Sequence, residues 1–174
     1  YTLPNHYEMK LIKKKIGDKF VFSGVDEMIA SAMISDVDGA IGSTYNVVPE
    51  LFFDMRNAYE NSDIAALSKD NEIDVKLINI MYRYSFMGSL KYLLERLRLG
   101  TRYLRIPNHT LTDGEADALV SDLKKLKDEY DIMGMELFSS LCIKHDKFKL
   151  QCTQRNCSRC GCPVPRSHPP YISR

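Results

Sequence analysis

Apolar positions along the chain follow two different periods, and the change of period divides it. From Pro4 to Ile16, Met9, Ile12 and Ile16 fall at helical spacing, Lys13, Lys14 and Lys15 suit the dipole at a helix carboxyl end, and Gly17 stops the pattern. Phe20-Val21-Phe22 is a short apolar run that ends at Ser23-Gly24, and Val37 to Ile41 is a second that ends at Gly42-Ser43-Thr44. Between them, Val25-Asp26-Glu27 leads into a helical pattern with Ile29, Ala32 and Met33 on one side. Strand, helix, strand predicts a βαβ unit in which Phe20–Ser23 and Val37–Ile41 are adjacent, parallel strands joined by a right-handed crossover. Both polar clusters fall at the carboxyl ends of their strands, where folds of this kind hold ligands.

The remaining pattern is helical. Pro49 can open a helix that carries Leu51, Met55, Ala58 and Tyr59 on one face. Asn61-Ser62-Asp63 breaks and recaps it, and a long helix follows with Ile73, Leu77, Ile80, Met81 and Tyr84 in one stripe. Leu90, Leu93, Leu94 and Leu97 mark another helix from Met87 to Leu99, with Gly100 at its end. Past a connection containing Pro107, Thr112-Asp113-Gly114-Glu115 has the form of a capping box ahead of Ala116, Leu119, Val120, Leu123 and Leu126. Two parallel strands cannot close a barrel, and a lone pair leaves unpaired edges on both sides. A (β/α)8 barrel takes about 250 residues. The predicted fold class is therefore α/β, the C-terminal portion of a TIM barrel with further helices, which needs additional strands or a partner to cover its edges.

Composition narrows the function without naming it. A net charge of +1 with 27% charged residues gives no reason to expect a nucleic-acid partner. No apolar run approaches the roughly 18 residues of a membrane helix. Tyr1-Thr2-Leu3-Pro4 does not read as a signal peptide, and the absence of an initiator Met suggests a start inside a larger unit. The charge is unevenly spread: Ile143 to Arg174 has three Lys and four Arg against one Asp, a net +6 that leaves the remainder at −5. Four of the five cysteines and four of the seven prolines lie there too, which draws a boundary near residue 142. In Cys152-x4-Cys157-x2-Cys160-x-Cys162 the early spacings fit an iron–sulfur pattern, but no distant fourth cysteine follows, and Cys160-Gly161-Cys162 is too tight for an ordinary zinc knuckle. Residues 143–174 are expected to be a disordered, metal-free tail.

Ser23-Gly24-Val25-Asp26-Glu27, with Ser43 seventeen residues beyond Asp26 in Gly42-Ser43-Thr44-Tyr45-Asn46, closely resembles N-acetylneuraminate lyase, within the superfamily of dihydrodipicolinate synthase. The resemblance continues through Tyr84-Ser85-Phe86-Met87-Gly88-Ser89-Leu90-Lys91 and Arg105-Ile106-Pro107, and covers roughly residues 1 to 130. It implies a cytoplasmic class I aldolase, usually tetrameric, that needs no cofactor. A lysine at the end of the sixth barrel strand would form a Schiff base with the 2-keto group of sialic acid, and retro-aldol cleavage would release pyruvate and N-acetylmannosamine. The strands here would be the seventh and eighth, residues 1–142 the C-terminal part of the barrel, and the matching lysine would stand just before Tyr1. No catalytic residue is thus expected in the chain itself. Its implied partners are a small sugar acid and the missing N-terminal barrel half or further copies.

What the resemblance carries over is the sugar-binding half of the site. Gly24 through its backbone, Asp26, Glu27 and Ser43 match positions that hold the hydroxyls of the substrate chain. The residue types suit a polyol: carboxylates accept hydrogen bonds strongly, serine donates and accepts, and glycine admits a ligand close to the backbone. Singly, Asp26 and Glu27 also fit a helix amino end, and Ser43 and Thr44 an ordinary turn. Lys19 begins its strand at the opposite end, and Lys91 sits on an amphipathic helix, so neither suits the missing nucleophile's place. A non-catalytic lyase-like remnant, or an aldolase for another 2-keto sugar acid, are the alternatives.

Overall fold

The computed structural model describes residues 1–141. The expected boundary after residue 142, and the tail with Cys152, Cys157, Cys160 and Cys162, lie outside the described residues. Helix α1 spans His6–Ile16, starting two residues later than the apolar pattern implies because Asn5 caps it, its side-chain oxygen accepting the Glu8 amide at 3.1 Å. Gly17 ends α1 at φ +62°, a conformation open to glycine. Lys13 does more than favour the helix dipole. It forms an ion pair with Asp38, whose Oδ2 also accepts the Val21 amide at 2.6 Å. The Lys13 hydrogen bond, foremost, holds the Asp38 carboxyl below its ordinary range.

That capture also explains why the first strand starts later than predicted. Strand β1 is Phe22–Ser23 and β2 is Gly39–Ala40, parallel, with Phe22 opposite Gly39 and Ser23 opposite Ala40. The Val21 amide points toward β2, where a longer ladder would pair it with backbone, but the Asp38 side chain takes it instead. Side chains alternate between faces: Val21 and Ser23 are buried, whereas Phe20, 74% exposed, and Phe22 lie on a bare face. On the other side of β1, the Tyr1 amino group donates to Phe22 O, and the Gly24 amide donates to Tyr1 O, both at 2.8 Å. These are the two bonds of a parallel ladder, so Tyr1 adds the end of a third extended segment to the sheet.

The crossover consists of a 3-10 turn, Asp26–Met28, and α2, Ile29–Ile34, with Ile29 and Ala32 buried as their spacing predicts. Helices α3 (Pro49–Glu60), α4 (Ile64–Tyr84), α5 (Phe86–Arg96) and α6 (Asp113–Tyr130) follow. The last two apolar patterns are thus helices as expected, although α5 stops at Arg96 rather than Leu99. Helix α4 is the hub: it packs against α2, α3, α5, α6 and the 26–28 turn. Its buried residues are Leu67, Ile73, Asp74, Leu77, Ile78, Ile80 and Met81, a wider face than the stripe read from the sequence. A short helix not foreseen there, α7 (Glu136–Ser140), buries Leu137 and Phe138, and Glu50 Oε1 accepts its Glu136 amide at 3.1 Å. Among the described residues, no helix is long and apolar enough to cross a membrane.

The predicted capping box at the start of α6 is present in full. Glu115 N donates to Thr112 Oγ1 at 3.3 Å, and Glu115 Oε2 accepts the Thr112 amide at 2.8 Å. Thr112→Ala removes the side-chain acceptor and is expected to cost about 1 kcal/mol, read as a lowered urea midpoint at unchanged slope.

Candidate functional site

Each strand ends in a loop that tightens at once into a 3-10 turn, Asp26–Met28 after β1 and Thr44–Asn46 after β2. The two turns are locked together. Asp26 Oδ2 accepts the Thr44 amide at 2.9 Å and the Thr44 hydroxyl at 2.6 Å, and both residues are buried. The lock is steric as well. A Cβ on Gly42 would lie 1.7 Å from Asp26 Oδ1, and one on Gly24 would lie 2.3 Å from Thr2 Cγ2. Gly42 is therefore required by its close approach to the carboxylate, whereas a larger residue at Gly24 would first have to displace the Thr2 side chain.

The sequence-predicted site residues come together at the carboxyl end of the two strands. Gly24 leaves β1, Asp26 and Glu27 open the first turn, and Ser43 stands directly before the second. Glu27 and Ser43 are partly exposed, and the Ser43 hydroxyl makes no capping bond to its own turn. Asp26 differs from the simple expectation of a sugar-facing acceptor, since one of its oxygens is filled by Thr44. Lys19 lies before β1, at the amino end of the strand, and Lys91 is on α5, away from the strand ends as expected.

Three residues that sequence reasoning passed over stand behind this surface. Thr44 is wholly buried and is the partner that fixes Asp26. Tyr45 packs edge-on against Phe52, ring centroids 3.9 Å apart, and its buried hydroxyl has no hydrogen-bond partner. Burial, then the charges of Asp26, Asp74 and Glu27, push the Tyr45 hydroxyl's pKa up. Asp74 of α4 is 0% exposed, and neither of its oxygens has a partner. Burial, then Asp26 and Glu27, raise its carboxyl to about 8. A signal for Asp74 existed: it stands three, four and seven residues before Leu77, Ile78 and Met81, in line with the apolar face.

Parallel strands whose polar loops meet at their carboxyl ends, wrapped by helices, define part of a (β/α)8 barrel. Residues 2–126 match the Dihydrodipicolinate synthetase family, and the chain belongs to it. Among solved structures, it is similar to CdNal from Clostridium difficile in complex with mannosamine, at 28% identity and a TM-score of 0.65 over 75% of this chain and 43% of that one. The N-acetylneuraminate lyase of Fusobacterium nucleatum complexed with pyruvate is 26% identical, with a TM-score of 0.63 over 74% of this chain and 42% of the other. The Proteus mirabilis N-acetylneuraminate lyase shares the fold at 20% identity, with a TM-score of 0.67 over 72% and 43% of the two chains. The chain thus spans less than half the length of these structures.

Proposed function

We propose that this chain supplies the sugar-binding half of an N-acetylneuraminate lyase-type aldolase, which further barrel strands complete. The observation that carries the reading is the Asp26–Thr44 lock, which gathers the Gly24 backbone, Glu27 and Ser43 at one strand end. The likeness to lyases solved with pyruvate and with mannosamine supports it. In this reading Glu27 accepts hydrogen bonds from the hydroxyls of the sugar chain, Ser43 donates or accepts, and Gly24 offers backbone at close range. The second oxygen of Asp26 serves the same ligand while the first keeps the loops in register. A Schiff-base amine comes from outside residues 1–174, since neither Lys19 nor Lys91 stands at a strand carboxyl end. The open side of β2 fits the need for added barrel elements: a groove of about 500 Å³ there is lined by Val37, Ala40, Phe52 and Arg56, among others. We read the completed protein as a cytoplasmic oligomer, in keeping with its resemblance to the lyases.

Borohydride reduction with pyruvate is the test. The isolated chain is expected to remain unlabelled, because imine formation needs an amine at the absent position. Joined to upstream strands carrying the lysine, it is expected to trap pyruvate and to cleave N-acetylneuraminate. In that completed barrel, Ser43→Ala and Glu27→Gln are expected to reduce kcat/KM for the sugar acid by about ten- to a hundredfold, with pyruvate trapping unchanged. A pyruvate adduct on the isolated chain would place the nucleophile within it and overturn the reading.

A further inference from the structure

A buried carboxyl without a donor is the strongest feature that the sugar-binding reading leaves unused. Asp74 is 0% exposed, and both its oxygens lack a hydrogen-bond partner. An ionised carboxylate so placed has nothing to replace its hydration, and buried groups in that position give up their charge instead. The 26–28 turn packs against α4, and the charges acting on Asp74 are both negative, Asp26 and Glu27. Tyr45 adds a second buried, unpartnered polar group beside them. The other elements packed on α4 bring no relief. Helix α2 has no charged residue, Arg56 of α3 pairs with Glu60, and Glu95 of α5 faces Arg102. Asp54 of α3 is raised by burial and by Glu50, and Asp122 and Glu129 of α6 pair with Arg83 and Lys76. No three His, Cys, Asp or Glu side chains among the described residues are arranged to hold a metal ion.

We propose that Asp74 keeps its proton in the folded protein and is a positioning residue, letting the 26–28 turn lie against α4 so that Asp26 and Glu27 reach a sugar ligand only while Asp74 is uncharged. The ligand part rests on the function proposed above; the proton does not. Ionising Asp74 would set a third negative charge against the turn that carries the two acceptors, and the turn would be pushed off α4. The carboxyl's value of about 8, against 3.8 ordinarily, agrees with this geometry. The sign follows. A folded value above the unfolded one gives stability that is complete below the unfolded value and is lost as pH rises through the folded value, here between 3.8 and about 8.

The experiment compares residues 1–174 with the Asp74→Asn variant, which keeps the shape and cannot ionise. Thermal midpoints are measured from pH ~4 to ~9, and N-acetylneuraminate and N-acetylmannosamine are titrated at pH ~6 and ~9. The wild-type midpoint is expected to fall with rising pH relative to the variant, and the difference to level off above pH ~8. Wild-type sugar affinity is expected to drop about tenfold between the two pH values, as one proton with that midpoint requires, while the variant shows no such drop. Carbon-13 NMR of the Asp74 carboxyl decides the proton directly, even if the variant does not fold. Titration in the ordinary carboxylate range, or parallel midpoint curves, would overturn the proposal. Divergent midpoints with sugar affinity that ignores pH would overturn the positioning role. Divergent midpoints with no sugar bound at any pH would leave the proton in place and bring down the sugar-binding reading instead.

Discussion

Asp26→Ala is expected to lower stability by about 3 to 5 kcal/mol, because it removes two hydrogen bonds to a carboxylate and strands their partner. The Thr44 amide and hydroxyl both bond to Asp26 Oδ2, and Thr44 is wholly buried, so no water stands ready to replace the lost acceptor. Asp26→Asn retains an oxygen that the Thr44 amide can use and is expected to recover more than half of the loss. Removing the Asp26 charge also relieves Asp74, so the net cost is smaller than the two bonds alone would give. Urea unfolding of the three proteins at one pH checks the order wild type, Asn, Ala. An alanine variant within about 0.5 kcal/mol of wild type would show that the lock contributes nothing, since surface substitutions fall in that range.

The second large loss is expected at Leu77. It is fully buried on α4, the helix against which α2, α3, α5 and α6 all pack. Leu77→Ala removes buried methyl groups and opens a cavity that several helices would have to move together to close, at a cost of about 2 to 5 kcal/mol. Leu77→Met conserves volume and is expected to cost less than about 1.5 kcal/mol. Domains hold only about 5 to 15 kcal/mol in total. The alanine variant is therefore expected to sit near the edge of unfolding at 37 °C, visible as lost near-ultraviolet circular dichroism and a depressed thermal midpoint. Equal midpoints for the alanine and methionine variants would remove α4 from its central place.

The helices were the legible part of this chain because each buries one stripe against a neighbour. Leu51 and Met55, Leu77 and Met81, Leu119 and Leu123 repeat at the spacing that such burial demands, and all are inside. The strands were legible in place but not in length. The amino end of β1 is set by the Asp38 carboxylate, whose side chain competes for a backbone amide, and hydrophobic alternation carries no record of that competition. The short α7 was invisible because five residues hold too little of a period, and it is fixed by contacts with distant parts of the chain. Within the site, Gly24, Asp26, Glu27 and Ser43 could be placed at one strand end from topology. That one Asp26 oxygen belongs to Thr44 could not, since the two residues lie eighteen positions apart and meet only through the crossover. Asp74 falls in line with the apolar face of α4, but what covers it shows only once the turn at 26–28 is seen against that helix.

The contact between Gly42 and Asp26 has a consequence for how such a protein can change by descent. A side chain at position 42 collides with the carboxylate at 26, while loss of that carboxylate alone orphans Thr44. Any lineage that trades one of these residues must pass through an impaired ancestor unless both change at once. The two loop motifs therefore mutate as one unit, although a whole helix separates them in the gene. Substitution is freer at Glu27 and Ser43, whose side chains the lock does not use.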